Sequence, residues 1–418
     1  MSIVRLLGIE KTPNYQKEKM RMKNGKQQDT ILKNLPPMKS GESAYLPSAM
    51  VPKGTHIEQY DPWLEINTKN LEWNVAQVRE MVGEKPIMAV VKCNAYGHGT
   101  VGIGKILERQ GVGQFAVVKV QEAMALREHG VGGTILNFGP FSLVKAEQII
   151  SHEISQSVFS ETVDVLAEAA RKLGKPAKVH IKVDTGLSRV GVPYCQALSY
   201  VEKIASMPGI IIEGIFTTLA EEEDFDPIQI KRLEKVCDDA ERQGISVGIR
   251  HAASTSAVAS NSVSYLDMVR PGNCFYGFEP QANMDLKPVM SLKTRIIMVK
   301  KVYPGDTISY HRRRKVEKEM LLAILPVGYA DGYPFQAINK AEVIIRERRR
   351  PLIVYMSANH ATVDITGAEE VQVGDEVVLF GTQGDETISI MEVAAWAESS
   401  VYKVTTGMSP FLPRVYLE

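Results

Sequence analysis

From Pro86 to about residue 284, short apolar segments alternate with amphipathic ones, and this alternation constrains the fold more than any other feature of the chain. The apolar segments predict strands; they are PIMAVV, FAVVKV, TILNFG, SQSVF, VHIKV, IIEGIFT, GIRHAA and DMVRPG. The segments between them, such as ETVDVLAEAARKLG, have the periodicity of amphipathic helices. Eight βα units in series predict an α/β fold, a closed (β/α)8 TIM barrel rather than an open sheet. In such a barrel the reactive side chains lie at the carboxyl ends of the strands.

The chain beyond about residue 285 follows a different pattern. Strand-like segments succeed one another with turns at YPGD and VGD and little helix; they are TRIIMVKKV, TISYH, MLLAILPV, AEVIIRE, PLIVYM, EEVQVGDEVVLFG and VYKVTT. We therefore predict a barrel over residues 59–284 and an all-β C-terminal domain over residues 285–418. The segment WLEIN, at Trp63, is a candidate strand of this second domain. Residues 1–58 are polar, basic and rich in turn formers, which predicts a flexible N-terminal extension.

Charge and cysteine content argue against several classes of protein. Lysine plus arginine and aspartate plus glutamate each number 49, so the net charge is zero, which is unlike a nucleic-acid binder held by bulk electrostatics. No apolar run reaches the ~18–20 residues that cross a bilayer, so we expect no membrane partner. The 4 cysteines are widely spaced without a CxxC pair, and the histidines lack metal-ligand spacing. We predict a cytoplasmic protein with neither disulfides nor a catalytic metal.

The strongest local signal is AVVKCNAYGHG, which places Lys92 at the end of an apolar strand and before a glycine-containing turn. At a barrel mouth such a lysine can bond covalently to an aldehyde cofactor and later carry a proton. The alternative is an ordinary lysine that extends its ammonium group into solvent from the end of a strand. The spacing alone leaves both interpretations open.

Several segments, in order, resemble the motifs of the alanine racemase family, the fold-type III enzymes that use pyridoxal 5′-phosphate. AVVKCNAYGHG is similar to the family's cofactor-lysine motif, and VHIKVDTGLSRVGV to its second barrel motif. MVRPGNCFYG resembles the motif that contacts the cofactor nitrogen and phosphate. LPVGYADGYP, VGDEVVLFG and the terminal PRVY are similar to signatures of the C-terminal domain. The resemblance extends from about Trp63 to the end of the chain and implies an amino-acid racemase.

The resemblance also implies a two-base mechanism on a free amino acid. Lys92 is the expected cofactor lysine and the base on one face of the substrate, and Tyr310 the acid/base on the other face. A phenol ordinarily has a pKa of about 10, so it needs nearby positive charge to act as a base. Arg189 resembles the arginine that supplies this charge and contacts the substrate carboxylate. Lys182 resembles the lysine, often carbamylated, that orients this arginine; the alternative for both is an ion pair at the barrel mouth.

By the same resemblance, Arg270 faces the pyridine nitrogen of the cofactor. Because an arginine is a permanent donor, it leaves that nitrogen unprotonated, which weakens the ring as an electron sink and disfavours side reactions. Hydroxyls and amides suit a phosphate dianion; the matching set is Tyr96, Thr255, the backbone around Gly272 and Asn273, and Tyr402. The family builds its active site across a dimer interface, so we expect a homodimer in which Tyr310 serves the partner subunit's cofactor.

The chain departs from the family pattern in ways that bear on substrate and cofactor. In SANH, Ala358 stands where a methionine usually borders the substrate and Asn359 replaces an aspartate. We therefore expect a pocket for side chains larger than a methyl group, unless a neighbouring side chain refills the space. Thr218 occupies the position of a histidine near the cofactor ring, and Ser254 that of an asparagine.

Two further sequence features carry alternative interpretations. His251 stands where the family has a histidine at a strand end. It either lies near the cofactor, as the resemblance implies, or is a core histidine whose hydrogen-bonding groups all have partners. His311 and the run RRRK after Tyr310 either favour an anionic substrate or form a solvated loop.

Other functions remain open from sequence alone. A pyridoxal-phosphate decarboxylase shares a barrel and a β-domain, but such enzymes usually pair the ring nitrogen with a carboxylate, unlike Arg270. A non-catalytic pyridoxal-phosphate carrier would not need the C-terminal domain or Tyr310. A racemase-like domain that has become a sensor or binding protein would have no reason to keep Lys92, Arg189, Arg270 and Tyr310 together.

Overall fold

The computed structural model describes residues 62–278, 280–354 and 356–418. The predicted extension, residues 1–58, lies outside the described residues. Within the described ranges the chain forms a parallel barrel and a sheet-rich C-terminal domain, so the predicted fold class is confirmed. No helix in these ranges is both long and apolar enough to cross a membrane.

The barrel consists of parallel strands in sequential order. After β1 (Trp63–Asn67), which lies elsewhere, the barrel strands are β2 (Met88–Val90), β3 (Gln114–Val117), β4 (Thr134–Asn137), β5 (Ile154–Val158), β6 (Ala177–Asp184), β8 (Ile210–Phe216) and β9 (Ile249–His251), with the short β7 (Val192–Pro193) beside β6. The segment Met268–Val269 closes the ring, because Met268 bridges to His251 and Val269 bridges to Ile87. The eighth predicted strand, DMVRPG, therefore contributes only these bridges.

Helices surround the barrel and bury one apolar face each. They are α1 (Thr68–Val82), α2 (Thr100–Arg109), α3 (Val120–Glu128), α4 (Ala146–Ser151), α5 (Thr162–Leu173), α6 (Tyr194–Ala205), α7 (Asp226–Arg242) and α8 (Thr255–Ser260). In α5 the buried residues Val163, Leu166 and Ala170 recur at three- and four-residue intervals, the spacing of one helix face. A separate apolar cluster that includes Met88 and Val90 fills the inside of the barrel, because alternate strand residues point inward.

The C-terminal domain is built on one mixed sheet. Its strands are β10 (Met290–Arg295), β11 (Met298–Val302), β14 (Met320–Leu325), β15 (Glu342–Ile345), β16 (Arg348–Ile353), β17 (Ala361–Asp364), β18 (Glu376–Gln383), β19 (Glu386–Ile388) and β20 (Arg414–Leu417), and a hairpin apart from the sheet joins β12 (Thr307–Ile308) to β13 (Arg314–Lys315). With β1, the order of the sheet is β11-β14-β17-β16-β15-β18-β10-β1-β20, and β19 pairs with β18. β1 pairs antiparallel with β10 and parallel with β20. The prediction that WLEIN joins this domain is confirmed.

One predicted strand of this domain is wrong. VYKVTT forms the helix α10 (Val401–Thr406), which follows α9 (Ile390–Trp396). The Ser400 side chain caps α10 by accepting from the Lys403 amide, and Val401, Val404 and Thr405 are buried at helical spacing. The β-branched residues suggested a strand, but the cap and the packing of one face favour the helix.

Candidate active site

A cavity of about 650 Å³ opens at the carboxyl ends of the barrel strands. It brings together most of the residues that the sequence singled out, and these are Lys92, Tyr96, Lys182, Arg189, Thr218, Ser254, Thr255, Arg270, Gly272, Asn273 and Tyr402. Among the charged side chains of its lining, four are basic and one, Glu221, is acidic. The cavity therefore suits a ligand with two anionic groups, such as a phosphate and a carboxylate.

Lys92 stands at the start of a strained turn. It lies two residues after β2 and begins the short helical segment Lys92–Tyr96. Cys93, Asn94, Ala95 and Tyr96 have φ values of 56°, 56°, 51° and 50°, so the turn is left-handed although none of them is glycine. A left-handed residue with a side chain costs about 1–2 kcal/mol, so surrounding contacts must hold this turn. Those contacts hold the backbone that follows Lys92 in place.

The hydroxyl-bearing residues gather at one end of the cavity. The Asn273 side-chain amide donates to the Tyr402 hydroxyl, and the Gly272 amide donates to the Thr255 hydroxyl over 2.9 Å. A Cβ on Gly272 would lie 3.0 Å from the Tyr96 hydroxyl oxygen, so the glycine lets the backbone at position 272 come close to the Tyr96 ring. These residues were the predicted phosphate-binding set, and they form one wall. Ser254 differs, because its hydroxyl donates to Glu221 over 3.0 Å.

Arg270 is buried in the cavity wall and fixed by three hydrogen bonds. Its Nη2 donates to the carbonyls of Thr217 and Ala252, over 2.8 and 2.9 Å, and its Nη1 donates to His251 Nδ1 over 2.9 Å. Burial lowers the pKa of Arg270 to about 9, so the group is charged at neutral pH. Since arginine only donates, His251 Nδ1 must accept and the proton of this imidazole lies on Nε2. His251 thus lies behind Arg270 rather than on the cavity wall.

Lys182 and Thr218 form a pair in the same cavity. The Lys182 ammonium donates to the Thr218 hydroxyl over 2.8 Å and lies 4.6 Å from the centre of the Phe216 ring. Burial first, and then the positive charges of Arg270 and Arg189, lower the pKa of Lys182 to about 7. The threonine that replaces the expected histidine is therefore oriented by Lys182, which leaves its own hydroxyl proton free to donate.

Tyr310, Ala358 and Asn359 lie in a different pocket. This pocket, of about 630 Å³, belongs to the C-terminal domain and is also lined by Tyr329 and Phe335. Tyr310 is 73% exposed, and the loop around it has left-handed backbone at Ser309, His311 and Arg312. Within one chain the structure does not bring Tyr310 to the cavity of Lys92.

Sequence reasoning missed four residues around the site. Phe216 stacks on His251, with ring centres 4.8 Å apart, and Glu221 lines the cavity. Both flank Thr218 in IFTTLAEEED, at the end of β8, so strand-end position was an available signal. His180 stands two residues before Lys182 in β6 and contacts His251, and strand alternation places it on the same face. Glu122, which contacts the turn after Lys92, carried no sequence signal that we recognise.

Among the residues in the described ranges, no three histidine, cysteine, aspartate or glutamate side chains are placed to hold a metal ion. The four cysteines are free thiols.

Comparison with known proteins gives a consistent match over both domains. Residues 66–280 match the model of the alanine racemase N-terminal domain, and residues 289–416 that of the alanine racemase C-terminal domain. The chain is 37% identical to alanine racemase of Clostridium tetani over 369 residues, which cover 85% of this chain and 95% of that protein. It is 35% identical to alanine racemase 1 of Clostridium acetobutylicum, with the same coverage. The solved alanine racemase of Clostridium difficile 630 superposes with a TM-score of 0.81 at 30% identity, covering 86% of this chain and 96% of that one.

Proposed function

This chain belongs to the alanine racemase family, and from that premise we propose that it interconverts the L and D forms of a free amino acid with Lys92 and Tyr310 as its two acid/base groups. The enzyme depends on pyridoxal 5′-phosphate. The observation that carries the assignment of roles is the shared cavity of Lys92 and the buried Arg270.

The residues present fit this cofactor. The wall of Tyr96, Thr255, Gly272, Asn273 and Tyr402 offers hydroxyls and amides for a phosphate, and Gly272 leaves room where a Cβ would crowd Tyr96. Lys92 lines the same cavity and would bond covalently to an aldehyde held there. When bound, the cofactor supplies an electron-withdrawing ring that makes the Cα–H of the amino acid acidic.

The protein's own groups supply orientation and proton transfer. Arg189 binds the substrate carboxylate, which orients Cα in the cavity. Lys92 Nζ takes or gives the proton on one face of Cα, and Tyr310 Oη does so on the other. Arg270 would hold the pyridine nitrogen by donating to it, and because a guanidinium with a pKa of about 9 keeps its protons at neutral pH, the ring would stay unprotonated and be a weaker electron sink. Because each face has its own group, the proton can leave from one side and return from the other.

We further propose that the acid/base group on the second face of Cα, Tyr310, comes from a second copy of the chain. Tyr310 lines another pocket of its own chain and is largely exposed, together with the half-exposed Tyr329 and the partly exposed Phe335. An exposed aromatic patch of this kind is typical of a surface that a partner covers. A head-to-tail homodimer would place this pocket opposite the partner's cavity.

The widely spaced free thiols support the cytoplasmic location that the sequence predicts.

The test is an amino-acid panel, assayed by chiral chromatography with the full chain and added pyridoxal phosphate. We expect one or more L-amino acids to become racemic, and Tyr310→Phe to abolish this. The control Tyr303→Phe changes another exposed tyrosine of the same domain and should keep full activity. Carbon dioxide release with formation of an amine would instead identify a decarboxylase. Cofactor binding without turnover of any amino acid would overturn the racemase assignment.

A further inference from the structure

A line of polar side chains runs from the cavity into the barrel. Arg270 Nη1 donates to His251 Nδ1, and His251 Nε2 lies 2.9 Å from Nδ1 of His180. His180 Nε2 in turn lies 3.9 Å from an oxygen of Glu213. Both imidazoles are almost fully buried, at 0% and 1% exposure, and Glu213 lies nearer the amino-terminal end of β8 than the cavity does.

As long as Arg270 keeps its place in the cavity wall, hydrogen-bond chemistry allows one arrangement of protons along this line. Arg270 is a donor only, so His251 Nδ1 accepts and its proton lies on Nε2. That proton is donated to His180 Nδ1, so the proton of His180 lies on Nε2 and points toward Glu213. Burial lowers the pKa of His180 to about 4 and that of His251 well below its usual range, so both rings are neutral.

The far end of the line is built to hold a negative charge. Ser155 donates to Glu213 over 2.5 Å, and Lys178 lies 3.1 Å from its other carboxylate oxygen. At 3.9 Å the carboxylate is too far from His180 for a direct hydrogen bond, so it acts on the Nε2–H through its charge. No carboxylate in the described part of the chain pairs directly with Arg270, and Glu213 is the anion that lies just beyond His180, where its hydrogen-bonded line ends.

Packing keeps the two rings in place. Phe216 stacks on His251 with an interplanar angle of 9°. A Cβ on Gly214 would lie 2.5 Å from His180 Nδ1, so the glycine after Glu213 leaves the space that this ring occupies. The two imidazole rings therefore cannot readily flip. What can still change is which nitrogen of each ring carries the proton.

We propose that Glu213 is a positioning residue for Arg270, because its charge selects the tautomers of His180 and His251 that leave His251 Nδ1 free to accept from the guanidinium. With the opposite tautomers, His251 Nδ1–H would face Arg270 Nη1, two donors would oppose each other, and the arginine would be displaced from the cavity wall. The inference rests on the proposed function only in that Arg270 contacts the cofactor.

The first experiment measures the tautomers directly, by ¹⁵N NMR of the full-length protein labelled on its histidine imidazoles, with pyridoxal phosphate bound. In the wild type, Nε2 of both His180 and His251 should carry the proton. Glu213→Gln keeps the size and an acceptor but loses the charge, and we expect a mixture of tautomers in it. Wild-type tautomers in Glu213→Gln would overturn the proposal.

The second experiment measures the affinity of the cofactor-free protein for pyridoxal phosphate. We expect Glu213→Gln to weaken it by about three- to tenfold, the scale of one hydrogen bond. His180→Gln should weaken it at least as much, and the double variant no more than His180→Gln alone, because both changes interrupt one line. The matched control Glu168→Gln removes an exposed carboxylate paired with Arg171 and should bind as the wild type does. Additive losses in the double variant, or unchanged affinity in Glu213→Gln, would overturn the proposal whatever the racemase assay shows.

Discussion

The side-chain carboxylate of Glu122 accepts a hydrogen bond from the backbone amide of Asn94 over 2.9 Å. Its other oxygen accepts from the amides of Val118 and Lys119, over 3.4 and 3.2 Å, and Glu122 is only 3% exposed. Asn94 lies in the left-handed turn that follows Lys92. A buried carboxylate at the start of α3 therefore anchors the strained segment that follows Lys92, the proposed cofactor lysine.

Replacing Glu122 should loosen this anchor. Glu122→Leu leaves three amides without their acceptor, and we expect it to lower the free energy of unfolding by about 3 kcal/mol or more, since each buried donor without a partner costs about 1–3 kcal/mol when no water reaches it. Glu122→Gln keeps one carbonyl acceptor, so its free energy of unfolding should lie between those of the wild type and Glu122→Leu. Urea unfolding followed by tryptophan fluorescence gives the values. Glu128→Ala, at the exposed end of the same helix, is the control, and equal stability of Glu122→Leu and this control would contradict the anchor.

Complementation between two inactive variants tests the shared active site. Lys92→Ala and Tyr310→Phe should each abolish racemisation. If Tyr310 acts on the partner's site, a mixed dimer holds one intact site, and random mixing should restore about one quarter of wild-type activity. The variants are mixed after dissociation in mild denaturant and returned to native buffer. Activity that stays at background in the mixture, while remixed wild type recovers, would place both groups in one chain.

Ala358 should set the size of the accepted side chain. Because Ala358 lines the pocket of Tyr310, a methionine there adds three heavy atoms to the space that a larger substrate would use. We expect Ala358→Met to reduce kcat/KM for large amino acids by about tenfold or more while changing that for alanine much less, since small cavity changes discriminate by about 1–3 kcal/mol. Val373→Met, on an exposed turn of the same domain, is the control. A wild type that prefers alanine by orders of magnitude would refute the larger pocket.

Lys182 should make stability depend on pH in a predictable direction. Its pKa in the folded protein is lowered to about 7, while a lysine in the unfolded chain titrates near ~10.4. Between these values the unfolded chain binds more protons at this site, so the folded state gains stability as pH rises. Lys182→Met removes this dependence. The free energy of unfolding of this variant should exceed that of the wild type most at about pH 6 and least near about pH 10.

The measurement is the difference in unfolding free energy between Lys182→Met and the wild type across this pH range. Degassed buffers prevent carbamylation of the neutral amine. Lys175→Met removes an exposed lysine just before β6 and should show a difference that does not vary with pH. A constant difference for Lys182→Met as well would contradict the lowered pKa.

The barrel was predictable because its strands and helices alternate in sequence and each carries its own periodicity. Residues such as Lys92 and Arg270 share a cavity because they end neighbouring segments of a closed ring, which is also a property of the sequence order. The left-handed turn could not be predicted, since Cys93 to Tyr96 include no glycine and the contacts that hold it come from distant segments.

The helix at VYKVTT shows the limit of local propensity. Its β-branched residues favour a strand, but the Ser400 cap and the buried faces of Val401 and Val404 depend on tertiary packing. The line from Arg270 to Glu213 was likewise hidden, because its four residues come from four separate parts of the chain and only the folded barrel joins them.

The position of β1 between β10 and β20 has a consequence for biosynthesis. Trp63–Asn67 is translated before the barrel strands, but one of its neighbours, Arg414–Leu417, is translated after the rest of the sheet. The nascent chain therefore carries an apolar strand without one of its partners until Arg414–Leu417 has left the ribosome, and the sheet is complete only then. A ribosome stalled before Arg414 would hold a chain in which β1 still presents an open edge to other chains.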